Sequence, residues 1–505
     1  MDIQIVHNSQ TPIYMQIKNQ IKDMVLTGEV LDGFMLPSER TMAKSAGVHR
    51  NTIIKAYNEL KADGLISAQQ GLGYKIVYKN VDSDSSEKAG NIPWLHVLKE
   101  EFVELEDTFD TLFSKTYSDK NISFAGGIVP AEAYNKENIK IILSDMLVSD
   151  KEEIYSYAPY QGILSLRQNL AIFLREKGIN VQPSEIQILS ETNQALDYLV
   201  ELMVRPGDVI ITEEPLSPDV YRELNLAGAK VLTVPMDEEG MIVSHLEPLL
   251  QRYIPKFIYL SSSFNDPTGI VMSLERRHAL LELSYKYRIP VVEDDSASGL
   301  RYDGKLVPSL KALDKRNHVI YIYSFALTFA PGVRLAFVVA PRLIVKRLSY
   351  LVSMHLISID SLSQKLMSSY LVKGMYRKSL KELCEFYRTK RDLMCEKLEL
   401  ARPLGVSYIK PKGGIYIWCK LPSTINAKML LQKSYKKGVA FIPGTVFFPY
   451  GTKGENFIRL NYSYPKAEQI EEGIDLLIQA MKESLSHCAR SDTGIILGIR
   501  DKVPE

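Results

Sequence analysis

The chain has little of what would mark an exported, metal-bound or membrane-embedded protein. Its four cysteines, Cys384, Cys395, Cys419 and Cys488, show no paired spacing. That excludes a zinc ribbon or a disulfide framework and suits free thiols in a reducing cytosol. No apolar run reaches the ~20 residues that a bilayer requires, and residues 1–10 lack the basic-then-apolar order of a secretory signal. A cytoplasmic protein with no membrane partner is expected. Neither sign of charge is in excess: 61 Lys and Arg against 60 Asp and Glu give a formal net charge of +1. A nucleic acid would have to meet a local patch, not a basic surface. No internal repeat is visible, and no nicotinamide-type glycine fingerprint follows the first strand. What remains is an ordinary globular composition, 46% hydrophobic and 24% charged, over 505 residues, too long for one ordinary domain.

The first eighty residues carry a compact pattern. Ile13, Ile17, Ile21 and Met24 recur at helical spacing, which predicts a helix over 12–27 with Pro12 at its start and Gly28 at its end. In Leu36-Pro37-Ser38-Glu39-Arg40, Ser38 is a good N-cap for a short second helix. A third begins near His49 and places Ile53, Ala56, Tyr57 and Leu60 on one face. Two short strands follow, 65–68 and 74–78, joined by a Gly71-Leu72-Gly73 tip. This order is that of a winged helix-turn-helix, with Arg50-Asn51-Thr52 at the end of the third helix that enters the major groove. Arg and Asn suit bidentate base contacts, and Thr suits a phosphate or a thymine methyl. Nine Lys and Arg against seven Asp and Glu in residues 1–79 would not by themselves indicate DNA binding; the motif does. The whole stretch, 10–79, resembles the GntR family. That resemblance implies DNA contacts from Arg40, Arg50, Thr52 and the wing tip at Gly71, to which the side-chain chemistry of Asn51 adds a fifth candidate. His49 stands where the family has a better helix cap.

Residues 80–92 include Asp82-Ser83-Asp84-Ser85-Ser86-Glu87-Lys88 and no apolar cluster, the composition of a linker. Helical periodicity returns with Trp94, Leu95, Val97 and Leu98. Short apolar strands then alternate with amphipathic helices: strands at 209–212, 230–234, 257–260, 291–293, 319–323 and 335–339, helices at 194–203 and 274–287 among others. That alternation predicts an α/β domain over 93–486 with a mostly parallel sheet. The ligand site lies at the carboxyl ends of the strands, and a smaller C-terminal α+β lobe starts near residue 360. Residues 487–505 carry no assignable role.

The large domain resembles the fold-type I aminotransferases. The resemblance is carried by Tyr157 with Gln161-Gly162 and Leu166-Arg167, Asp266-Pro267-Thr268-Gly269, Glu293-Asp294-Asp295, the loop from Ser324 to Arg334, Lys412-Gly413-Gly414, Pro443-Gly444 and Phe457-Ile458-Arg459-Leu460. It implies pyridoxal phosphate as cofactor, with Asp294 at the pyridine nitrogen and Ser324 and Arg334 at the phosphate. It also implies Arg459 at a substrate carboxylate. The lysine that bonds the cofactor in that family is Leu327 here, and a hydrocarbon has no nitrogen for an imine. Ser296 and Ser217 stand at two expected tyrosines, and Glu191 lies in the phosphate loop, where a carboxylate opposes phosphate. No catalytic residue and no covalent cofactor binding are therefore expected, and the four departures argue against a non-covalent hold. A GntR module ahead of an aminotransferase fold is the arrangement of the MocR-type regulators. The resemblance implies a homodimeric transcription regulator that binds double-stranded operator DNA and senses an unknown small molecule. Two other readings follow from the same residues: an aminotransferase with a DNA-binding appendage, or a regulator that holds pyridoxal or pyridoxamine phosphate non-covalently.

Overall fold

The computed structural model describes residues 3, 5, 11–26, 30, 33–69, 73–77, 121–127, 129–149, 155–449 and 453–497. The linker at 80–92, the helical periodicity at 94–98 and the wing tip at Gly71 lie outside them. The chain divides into two compact units, Met1–Asp107 and Thr108–Glu505.

The first unit is three helices and a hairpin: α1 (Ile13–Leu26), α2 (Glu39–Ser45), α3 (Arg50–Ala62), and antiparallel β1 (Ile66–Gln69) and β2 (Gly73–Ile76). The predicted caps form. Ser38 Oγ accepts from the Thr41 amide at 3.2 Å and starts α2. His49 serves as the cap of α3, its Nδ1 accepting from the Asn51 amide at 3.3 Å. Ile53, Ala56, Tyr57 and Leu60 are fully buried, as their spacing requires. On α1 the buried stripe is Ile17, Ile21 and Val25; Ile13 and Met24 only flank it. The Tyr57 hydroxyl donates to the Pro37 carbonyl at 2.8 Å and ties α3 to the start of α2.

The second unit is built on an eight-stranded sheet in the order β4-β11-β10-β9-β8-β5-β6-β7. Its strands are β4 (Ile186–Leu189), β5 (Val209–Glu214), β6 (Lys230–Asp237), β7 (Gly240–Met241), β8 (Ile258–Leu260), β9 (Val291–Asp294), β10 (Val319–Ser324) and β11 (Ala336–Val339). The run from β10 through β9, β8 and β5 to β6 is parallel. β11 is antiparallel to both its neighbours, and β7 to β6. Helices α4 (Thr192–Met203), α5 (Pro218–Leu226) and α6 (Leu274–Tyr287) are among those flanking the sheet. Val319 and Ile320, neighbours on β10, belong to different apolar clusters, as the two-residue period of a strand covered on both faces demands. Gly162 has φ +97°, and a Cβ there would lie 2.2 Å from Ile188 Cγ1; only glycine lets this turn press on β4.

Next come α7 (Ser361–Val372), capped by Asp360, and α8 (Met375–Glu399). Helix α7 buries Leu366, Met367 and Tyr370 in the core of the large sheet, while Leu383 on α8 belongs to a second core that also takes in Phe124, Ala125, Val129 and Leu300 from earlier in the chain. The smaller lobe holds a sheet of β12 (Ser407–Tyr408), β13 (Tyr416–Lys420), β16 (Phe457–Asn461) and β15 (Ile442–Pro443), in that order, and a parallel pair of β3 (Ile122–Ser123) and β14 (Val439–Ala440). The final helix, α9 (Ala467–Leu497), packs on α8.

Candidate functional site

A cavity of about 610 Å³ opens at the carboxyl ends of β8, β9 and β10, where an open parallel sheet places its ligands. The start of α4 forms one wall, and the loop after β10 forms another. Seven of the residues singled out by sequence meet here: Glu191, Ser217, Asp294, Ser296, Ser324, Leu327 and Arg334. Leu327 lines the cavity and packs on the small-lobe core. Ser217 immediately precedes α5 and Ser296 follows β9, both lining the cavity with hydroxyls in place of rings.

Asp294 ends β9 at the cavity wall. It accepts from the Ser296 amide at 3.0 Å, the Ser296 hydroxyl at 2.6 Å and the Tyr259 hydroxyl at 3.3 Å. Burial pushes its carboxyl above the ordinary range, and the Ser296 bonds hold it back. Glu191 begins α4 and turns inward. Its carboxylate lies 3.5 Å from Arg334 Nη1, and the Ser324 hydroxyl donates to it at 3.4 Å. Burial raises its pKa while Arg334 and Ser324 pull it down. The two groups expected to receive a phosphate thus already face a carboxylate.

Arg459 is placed differently from a ligand receptor. It is 1% exposed and does not line the cavity. Its Nη1 donates to both Asp266 oxygens, at 2.8 and 3.1 Å, and its Nη2 to the Ala125 carbonyl at 2.8 Å. Tyr416 covers its guanidinium at 4.2 Å from the ring centre. Asp266 and Tyr416 face the cavity instead. Sequence reasoning missed this, because Asp266 stands 193 residues from Arg459 and within a turn that drew notice only for its Pro-Thr-Gly. It also missed Tyr259, whose hydroxyl supplies the third donor to Asp294.

In the first unit, Arg40, Arg50 and Asn51 are exposed and Thr52 is half-buried at the start of α3, where backbone amides favour an anion. The Arg50 guanidinium is already braced: Nε and Nη2 donate to Glu39 Oε2 at 3.0 and 2.6 Å. The Tyr74 hydroxyl of β2 donates to the other Glu39 oxygen at 3.4 Å. Among the described residues no cluster of His, Cys, Asp and Glu could hold a metal ion, and no helix is long and apolar enough to cross a membrane.

Comparison with known proteins gives the same division. The family "Aminotransferase class I and II" matches residues 120–477, and "Bacterial regulatory proteins, gntR family" matches residues 13–76. The aromatic-amino-acid aminotransferase 1 of Thermococcus litoralis is 33% identical over 72% of this chain and 88% of its own. The HTH-type transcriptional regulator YdfD of Bacillus subtilis is 30% identical over 94% of this chain and 97% of its own. The crystal structure of a multiple substrate aminotransferase from Thermococcus profundus superposes with a TM-score of 0.74. It is 30% identical and covers 78% of this chain and all of that one. The chain belongs to the aminotransferase class I and II family, in its MocR-type regulator form.

Fold-type I aminotransferases depend on pyridoxal phosphate, and the residues of this MocR-type chain fit that group only at one end. Asp294 fits a protonated ring nitrogen. The phosphate end does not fit, because Glu191 holds Ser324 and Arg334. The bonding position does not fit either, because Leu327 has no amine.

Proposed function

We propose that this protein is a transcription regulator that binds double-stranded operator DNA as a homodimer. Its aminotransferase-like domain serves as the small-molecule sensor and dimerisation module, without transaminase activity. The observation that carries the reading is Leu327 on the cavity wall, in a chain whose other unit is a gntR-type DNA-binding module. A cavity that keeps the shape of a ligand site but presents a hydrocarbon where an amine is needed can bind and not transaminate. Regulation then means that the ligand favours one arrangement of the DNA-binding modules over another. Arg40, Arg50, Asn51 and Thr52 are the proposed DNA contacts, and the exposed start of α3 supports that assignment.

The test selects DNA from a random library with the full chain and follows the selected site by gel shift at fixed salt. A sequence-specific complex is expected. Failure to enrich any sequence overturns the regulator. Turnover of an amino acid with a keto acid in the presence of pyridoxal phosphate favours the aminotransferase reading instead.

A further inference from the structure

The cavity at the carboxyl ends of β8 to β10 is lined by four carboxylates, Glu191, Asp219, Asp266 and Asp294, and by one guanidinium, Arg334. Three of the four have a cation of the chain's own. Glu191 faces Arg334 at 3.5 Å, Asp219 faces Arg222 at 3.0 Å, and Asp266 faces Arg459 at 2.8 Å. An incoming phosphate or carboxylate would have to displace Glu191 or Asp266, and each would then be left beside it as a like charge. Asp294 differs from the others. Among the described residues its partners are all neutral, two donors from Ser296 and one from Tyr259, and Asp295 acts on it as a like charge. An ionised carboxylate has about four lone-pair sites, so three donors leave one for a donor in the cavity. A largely buried carboxylate without a counter-ion is costly unless a cation completes it.

From this the geometry points to a ligand class: a protonated nitrogen base that carries neither phosphate nor carboxylate. Its N–H⁺ donates to Asp294, and its uncharged end rests against the phosphate cup that Glu191 has closed. The inference rests on the reading of this domain as a sensor and specifies what it senses. The cavity volume of about 610 Å³ falls within the range of ordinary small-molecule sites. Glu191 and Asp266 act here as built-in anions that reject the phosphorylated form of such a base.

The probes are pyridoxamine and pyridoxamine phosphate, titrated calorimetrically into the full chain. They share a ring and an amine and differ by the phosphate. Pyridoxamine is expected to bind at least about tenfold more tightly than its phosphate. Asp294→Asn should weaken pyridoxamine by about tenfold or more, since it removes the charge and keeps the shape. Glu191→Gln should bring the phosphorylated probe level with or above the unphosphorylated one, because it releases Arg334 and Ser324. A gain of this kind cannot come from misfolding. Tighter or equal binding of the phosphate by the unaltered chain, no heat from pyridoxamine, or an Asp294→Asn variant that binds as before would each overturn the inference. The readout is ligand heat alone, so failure here leaves the DNA selection untouched, and failure there leaves the ligand class standing.

Discussion

Replacing Asp266 by asparagine should destabilise the large unit measurably while leaving its shape unchanged. Arg459 is 1% exposed and Asp266 supplies both of the oxygens that neutralise it, at 2.8 and 3.1 Å. Burial opposes the charge on Arg459, and Asp266 together with Tyr416 and Asp219 more than offsets that, so its pKa stands above the ordinary value. Removing one partner of a buried pair costs about 3–5 kcal/mol, since the other charge stays buried. The present pair falls at or below the lower bound of that range. The Asp266 side chain is 29% exposed, the asparagine oxygen still accepts one hydrogen bond, and Ala125 and Tyr416 remain in place. About 2–3 kcal/mol is expected.

Trp418 reports on this region, since it pairs across β13 and β16 with Arg459 and stacks on Phe457. The other tryptophan, Trp94, is best changed to phenylalanine in both proteins. Urea unfolding followed by Trp418 emission then gives the difference in midpoint at constant slope. Acetate at tens of millimolar should recover part of the loss in Asp266→Asn and do nothing to the parent, because only the variant has an unclaimed fork for a carboxylate. A loss below about 1 kcal/mol, or equal acetate effects on both, would refute the view that Asp266 fills the carboxylate site.

Further outcomes are expected elsewhere. Arg50→Ala should weaken specific DNA binding by about 1–3 kcal/mol in gel shift, and Glu39→Gln by less, since it removes the brace and not the reader; an Arg50→Ala complex as tight as the parent's would exclude Arg50 from the groove. Glu213 is 2% exposed, and burial lifts its carboxyl from the ordinary 4.5 to about 8, so the folded state holds this proton more tightly than the unfolded one. Its contribution is full below about pH 4.5 and is lost as pH rises through about 8. Glu213→Gln keeps the bonds from the Ser261 amide and Asn265 and should remove up to about 5 kcal/mol of that decline; unfolding midpoints across the window that still parallel the parent's would count against it. Leu327→Lys should fold, because Asp294 and Glu191 line the same cavity and supply counter-charge to the new amine, although a lysine in that loop looks costly from sequence alone. It should give at most a weak borohydride-sensitive absorbance band with pyridoxal phosphate; a stoichiometric band would show that Glu191 does not close the phosphate cup.

What was legible in the sequence was what is local. The stripe Ile53, Ala56, Tyr57 and Leu60 and the Ser38 cap are set within one or two turns of chain, and the structure has them where the spacing puts them. The strand β4 was missed because Gln187 interrupts its apolar run. Gln187 is fully buried, and its amide donates to the Tyr160 and Ile188 carbonyls, partners that no window of sequence reveals. The site divides in the same way. Asp294, Ser324, Leu327 and Arg334 come from short motifs and converge on one cavity. The direction of Glu191 and the pairing of Asp266 with Arg459 are tertiary facts: a sequence states which charges exist, and only packing decides which of them cancel. Those cancellations share a sign. Leu327 withholds a positive charge from the cavity, while Glu191 and Asp266 place negative charges against the two arginines that an anion would seek. Accidental loss of a cofactor site would remove charges of either sign without filling the vacated contacts. Here both contacts are filled, each by a carboxylate at ion-pair distance, and of the four carboxylates that line the cavity Asp294 alone has no cation among the described residues. A cavity arranged in this way discriminates against anions and still has a position for a cation.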